Sequence, residues 1–202
     1  SAANVKLNRT QVQIVRGDTY RLYVKGTTAK VKWYSSNAKI ATVSNGKVTA
    51  KKKGTAVIYA KVNGKKYACK VTVVTQQRAY IDTLQRQINI QRRRYGFNSY
   101  DRNPLLQQAA QKRAKELAEK FSHARPNGYS WASAISMRYN FKKASELTAR
   151  YYTDPQEVVD AWMSRASTKA KIISKRYNEI GVGVYLDEDG FLYYAVIVAV
   201  RK

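Results

Sequence analysis

Among 202 residues there is one cysteine, one histidine and only 13 acidic side chains. The lone cysteine, Cys69, excludes an intrachain disulfide and a multi-cysteine zinc knuckle. It stands in Tyr67-Ala-Cys-Lys-Val-Thr-Val73, where positions 67, 69, 71 and 73 alternate as one apolar face, so it reads as a packed strand residue rather than a reactive thiol. No apolar run reaches the roughly eighteen residues needed for a membrane-spanning helix, and the longest candidate, residues 193–200, has strand length. Residues 1–4 show no basic cap followed by an apolar segment, so no signal peptide is expected there and secretion has to be argued from other features. Also missing are a Gly-rich phosphate loop, a paired-carboxylate glycosidase signature and a Gly-x-Ser-x-Gly elbow.

Positive charge is in excess, with 38 Lys and Arg and a net charge of +25. It is spread along the chain: up to Gln77 there are 16 basic residues against the single acid Asp18, and beyond it 22 against 12. Such a field draws in polyanions and makes their binding depend on salt, although solubility alone is the competing reading. The runs Lys51-Lys52-Lys53 and Arg92-Arg93-Arg94 are candidate polyanion patches or simply solvated faces. Sixteen tyrosines, several beside basic residues (Tyr95, Tyr139, Tyr151, Tyr152, Tyr177), divide between stacking surfaces for sugars or bases and core.

Two Asn-Gly pairs organise the first third. Asn45-Gly46 and Asn63-Gly64 each lie between alternating apolar segments, and each predicts a two-residue hairpin of the primed type, which needs positive φ at both central positions. With further alternation at Tyr20, Leu22, Val24 and at Val31, Trp33, about seven short strands fall within some 75 residues, which implies a β-sandwich. After Thr75-Gln76-Gln77 the period lengthens toward 3.6. Ile81, Leu84, Ile88 and Tyr95 predict one helical face ending at Gly96. Asn103-Pro104 predicts the next helix start, with Leu106, Ala109, Ala110, Ala114, Leu117 and Phe121 as its buried stripe. Asp154-Pro155-Gln-Glu157 repeats that start before Val158, Ala161 and Trp162. The final apolar runs, split by a turn at residues 187–190, have apolar residues on both faces and predict a central strand sandwiched by helices.

The patterns Trp33-Tyr-Ser-Ser-Asn37, Ile40-Ala-Thr-Val43, Gly46-Lys-Val-Thr-Ala50 and Gly54-Thr-Ala56 closely resemble group 2 bacterial immunoglobulin-like domains. The resemblance implies a spacer or adhesive module outside the cell. Beyond it, Asn89, Leu106-Gln-Gln-Ala-Ala-Gln-Lys-Arg-Ala-Lys-Glu-Leu-Ala118, Phe121-Ser-His123-Ala-Arg125-Pro126, Pro155-Gln-Glu-Val-Val-Asp-Ala-Trp-Met163 and Ile180-Gly-Val-Gly-Val184 are similar, in order and spacing, to the bacterial branch of the CAP (SCP-like) superfamily. The fold class expected is therefore an all-β immunoglobulin-like sandwich over 1–76, followed over 77–202 by an α+β three-layer α-β-α sandwich.

The CAP resemblance implies a cleft with two histidines and two acids, often around a divalent metal. His123 matches the first histidine and Glu146, in Ser145-Glu146-Leu-Thr-Ala149, the glutamate. Thr168 stands where the second histidine falls, Arg165 loosely where the second acid falls, and Val196-Ile-Val-Ala199 replaces a Gln-x-Phe-Gly pattern. A two-histidine site needs two neutral imidazole donors, which this chain does not have, and Arg165, Lys169 and Lys171 would repel a dication if they faced the cleft. No cofactor is expected, with zinc at His123 as the alternative. The binding candidates are His123, Glu146, Arg165, Thr168, Lys169 and Arg125. For His123, three readings stay open: residual acid–base or weak metal chemistry with Glu146, a hydrogen-bonded pair that holds the cleft together, or contact with an anion or glycan. The leading expectation is a secreted or cell-surface, noncatalytic binding module for an anionic or amphipathic ligand such as a cell-wall polymer, a glycan or a host surface molecule. A CAP-type metal-dependent hydrolase using His123 and Glu146, and lipid or sterol carriage, are the alternatives. The surface-module resemblance argues against nucleic acid.

Overall fold

A computed structural model describes residues 4–202. The reading of residues 1–4 as free of a leader rests mostly on residues 1–3, which lie outside it. The chain divides into two compact units between Ala79 and Tyr80, a few residues after helix α1 begins at Gln76.

The first unit is a sandwich of short strands: β1 (Lys6–Leu7), β2 (Gln11–Val15), β3 (Thr19–Arg21), β4 (Val24–Lys25), β5 (Lys32–Ser35), β6 (Ala41–Ser44), β7 (Lys47–Ala50), β8 (Gly54–Val62) and β9 (Lys65–Val74). One sheet runs β2-β9-β8-β5, another β3-β7-β6, and β1 pairs with β4. Both Asn-Gly hairpins form as the sequence predicts: Asn45 and Asn63 have φ of 48° and 50°, and Gly46 and Gly64 have 82° and 77°. Gly46 is required twice over, since a Cβ there would also lie 2.2 Å from the Leu22 carbonyl oxygen. Alternation drives Leu22, Val48, Ile58, Cys69, Val71 and Val73 into one core, which confirms Cys69 as a packing residue.

The second unit holds α1 (Gln76–Arg94), whose residues from Tyr80 onward belong to it, then β10 (Asp101–Arg102), α2 (Pro104–Glu119), a 3-10 turn (Trp131–Ala134), β11 (Phe141–Arg150), α3 (Pro155–Met163), α4 (Ala166–Ile172), β12 (Glu179–Leu186) and β13 (Leu192–Arg201). Both predicted caps are made: Asn103 Oδ1 accepts from the Leu105 and Leu106 amides, and Asp154 Oδ1 from the Gln156 amide. The sheet order is β10-β12-β13-β11, with β13 central. Val182, Val196 and Val198 face a core shared with α1, α3 and α4, while Ala195, Ile197 and Ala199 face α2. This is the three-layer α-β-α arrangement.

Helix α2 lies flush on β12 because that strand has glycines beneath it. A Cβ at Gly181 would lie 2.1 Å from the Leu106 carbonyl group, and one at Gly183 would lie 2.2 Å from the Ala110 oxygen. Strand β10 covers only the start of β12, pairing with Glu179 and Ile180. Beyond it, Gln107 and Gln111 of α2 take over the ladder. Each carboxamide donates to the carbonyl of Val182 or Val184, at 2.6 and 2.9 Å, and accepts from the same residue's amide at 2.9 and 3.1 Å. Two side chains four residues apart on a helix thus satisfy the edge that a neighbouring strand would otherwise cover.

Two predicted core positions are corrected. Tyr95 is 49% exposed and Phe121 is 38% exposed, because α1 ends at Arg94 and α2 at Glu119, so the helical period no longer aims either ring inward. The fourth buried position of α1 is Arg92, one turn beyond Ile88. This also removes Arg92 from the predicted surface run. Its guanidinium donates to the carbonyls of Asn98, Ile172 and Ser174 at 2.6, 2.6 and 2.9 Å and stacks on Tyr100 at 3.5 Å. Burial, only partly offset by Tyr100, lowers its pKa.

Candidate functional site

Glu146 is placed by β11 on the sheet face that meets α2, since its partner across the ladder is Ile197. Its side chain is fully buried, which demands compensation of the charge. Arg113 of α2, also fully buried, supplies it: Nε donates to Oε2 at 2.7 Å and Nη2 to Oε1 at 3.1 Å, a bidentate pair. Two further Arg113 N–H groups are committed as well, one on Nη2 to the Ser122 carbonyl at 2.6 Å and one on Nη1 to Glu116 at 3.1 Å. Glu116 in turn receives Arg125, whose Nε and Nη2 lie 3.0 Å from its oxygens. The result is a chain of alternating charge, Arg125, Glu116, Arg113, Glu146, that is internally neutral.

His123 ends this chain. Its Nδ1 is 2.8 Å from Glu146 Oε1, while its side chain is 59% exposed. A carboxylate held by a bidentate arginine is an acceptor only, so Nδ1–H is the donor in this contact. The loop carrying His123 is fixed on either side of the ring, at the Ser122 carbonyl by Arg113 and at the His123 carbonyl by the Trp131 amide, 2.8 Å away.

The electrostatics follow from these contacts. Burial works against ionisation of both Arg113 and Glu116, but hydrogen bonds and charge pairing outweigh it. Glu146 and then Glu116 hold the Arg113 guanidinium above its ordinary value, and Arg125 and Arg113 hold Glu116 below the usual carboxylate range. At the start of β12, hydrogen bonds from Tyr139, Asn103 and Arg201 likewise hold Glu179 low against burial.

Along β11 from Glu146, a groove of about 340 Å³ opens between that strand and the α3–α4 junction. Phe121, Thr148, Arg150, Tyr152, Trp162 and Arg165 line it, with Thr168 at its side. Two donors tie its wall to the strand's outer edge: Trp162 Nε1 to the Thr148 carbonyl at 3.0 Å, and Lys171 Nζ to the Glu146 carbonyl at 2.9 Å. The Arg150 guanidinium lies 4.4 Å over Phe121. Among the described residues, neither Arg150 nor Arg165 makes an ion pair.

The six candidates therefore separate into groups. His123, Glu146 and Arg125 share one network; Arg165 and Thr168 line the neighbouring groove; and Lys169 sits with its ammonium 4.8 Å over the Tyr95 ring, at the end of α1. The Thr168 hydroxyl donates to the Trp162 carbonyl at 2.5 Å. Sequence reasoning missed Arg113, the centre of the network. The signal was present: Arg113 occupies a stripe position of α2 between Ala110 and Leu117, where a charge must have a buried partner.

The donor set does not fit a two-histidine metal. His123 is the chain's single imidazole, both oxygens of Glu146 are held by Arg113, and the Thr168 hydroxyl is engaged as a donor. Among the described residues no three His, Cys, Asp or Glu side chains converge.

The family model of the cysteine-rich secretory protein family (CAP) matches residues 85–199, and that of the bacterial Ig-like domain (group 2) matches residues 1–73. Over 98 residues the chain is 28% identical to the uncharacterized protein YkwD of Bacillus subtilis (strain 168), a match covering 47% of this chain and 38% of that relative's length. An outer surface protein from Borrelia burgdorferi is similar in structure with a TM-score of 0.56 and 23% identity, over 61% of this chain and 94% of that one. An extracellular protein containing an SCP domain from Bacillus anthracis str. Ames gives a TM-score of 0.55 and 18% identity, over 67% of this chain and 46% of that one.

Proposed function

We propose that this chain, which belongs to the cysteine-rich secretory protein (CAP) family and carries a group 2 bacterial Ig-like domain before its CAP domain, works outside the bacterial cell as a binding module. Its ligand is anionic and amphipathic, and its site is noncatalytic. The observation that carries this reading is the arginine lock on Glu146. A carboxylate whose charge is cancelled by a buried guanidinium is a poor general base and a poor cation ligand. Next to it, the groove presents three aromatic side chains and two guanidinium groups that have no ion-pair partner among the described residues, which suits an anionic head with an apolar body. The extracellular location draws support from the structural neighbours, described as an outer surface protein and an extracellular protein. The Ig-like domain serves as spacer or attachment.

Calorimetric titration of the full chain with dodecyl phosphate tests this. Charge-assisted contacts contribute about 1.5–3 kcal/mol, so Arg150→Ala/Arg165→Ala is expected to weaken binding by about tenfold or more. Equal affinity in the variant, or no binding to the parent chain, contradicts the reading.

One observation favours a second reading. The His123 ring is oriented through Nδ1 by a buried carboxylate and offers Nε2 outward, the arrangement of an acid–base histidine. An ester or amide hydrolysis abolished in His123→Ala, with groove binding intact, would select it.

A further inference from the structure

We propose that the outer face of the β2-β9-β8-β5 sheet in the Ig-like unit is a second binding site, for a linear polymer of sugar or polyol units that carries one anionic group per repeat. In β8 and β9 the core takes Ala56, Ile58, Ala60, Cys69 and Val71, so the alternate residues point outward. Register then assembles them in rows. Lys61 is directly opposite Lys32 on β5 and Lys66 on β9, which sets three exposed lysines side by side across three strands, roughly 4.8 Å apart. The next row pairs Tyr34 with Tyr59, whose rings stack at 5.1 Å with the Lys66 ammonium 4.9 Å from the Tyr59 ring. Lys70, opposite Val57, continues the basic surface toward β2.

Like charges directly opposite on neighbouring strands destabilise a sheet. No acidic side chain beside the row offsets them: Asp18 is the only acid in the sequence of residues 1–79, and it immediately precedes β3 of the other sheet. Sequence that tolerates such a row suits an external anion, and repeated charges along a chain match repeated lysines across strands. The Tyr34–Tyr59 pair adds an aromatic surface on which a sugar ring can stack, with the Lys66 ammonium beside it for the anionic group of the same repeat.

The site is independent of the CAP groove, and its test is separate. Retention of the full chain would be measured on poly(glycerol phosphate), on polygalacturonate and on a single-stranded oligonucleotide, at about 50 to 200 mM salt. Lys32→Gln/Lys61→Gln/Lys66→Gln is compared with Lys51→Gln/Lys52→Gln/Lys53→Gln, which removes the same charge from the same unit. The row variant is expected to weaken polymer binding by about tenfold or more at the low-salt end, with a shallower salt slope, and the control by about threefold or less. The phosphate and carboxylate polymers identify which anion is preferred. The melting temperature of the row variant should stay level or rise, because repulsion is removed, so lost binding is not lost folding. Equal losses in the two variants, tighter binding to the oligonucleotide than to either polymer, or no retention on either polymer would overturn the site. Arg150→Ala/Arg165→Ala should leave this binding unchanged, which keeps its outcome apart from that of the groove.

Discussion

Removing the Arg113 guanidinium would strand Glu146, a fully buried carboxylate, with only the His123 ring as partner. Breaking one side of a buried ion pair costs about 3–5 kcal/mol, so Arg113→Met should lower the urea midpoint of the CAP unit sharply, and Arg113→Met/Glu146→Leu should recover most of the loss. An unchanged midpoint in the single variant would show that the lock contributes nothing to stability. Residue by residue, the sequence indicates His123 and Glu146 through motif position, since Ser-His-x-Arg-Pro and Ser-Glu-Leu-Thr-Ala are local patterns. Arg113 was hidden because its meaning depends on which face of α2 is buried and on a strand 33 residues away. Arg92 was hidden for the same reason: within Arg92-Arg93-Arg94, only depth in the fold distinguishes a carbonyl-binding arginine from two solvated ones.

At the scale of elements, the contact between α2 and β12 is the most demanding fit in the CAP unit. Gly181→Ala is expected to destabilise it by about 1–3 kcal/mol or more, because the new Cβ meets backbone atoms that cannot swing aside. A thermal melt checks this, and a neutral outcome would mean that α2 slides easily on the sheet. Element types and caps were legible because turn chemistry and period act locally: Asn45-Gly46, Asn63-Gly64, Asn103 and Asp154 all do what their residue types dictate. Element ends were less so. Tyr95 and Phe121 continue the apolar spacing of α1 and α2, but spacing carries no information once the helix has stopped. The Gln107 and Gln111 ladder was invisible too, since two polar side chains on a helix look solvated until the short β10 leaves an edge for them to fill.

Across the whole molecule, acid and salt act in opposite senses. Glu116 and Glu179 have folded-state pKa values below the ordinary carboxylate value of about 4.3, so they add stability at neutral pH that is lost as pH falls through their lowered values. The melting temperature of the CAP unit should therefore drop between about pH 5 and pH 2, and Glu179→Gln should flatten that dependence. A variant as acid-sensitive as the parent would contradict the assignment. Salt should instead screen the repulsion within a chain of net charge +25, raising stability while weakening any anionic partner.

The neutralised carboxylate is most directly tested by titrating zinc chloride into the full chain and into His123→Ala at neutral pH, followed by calorimetry. With Arg113 holding both oxygens of Glu146, neither protein should give a micromolar binding isotherm at this site. Micromolar zinc binding by the parent chain that disappears in His123→Ala would mean that the imidazole and carboxylate remain free to hold a cation, and would contradict the lock.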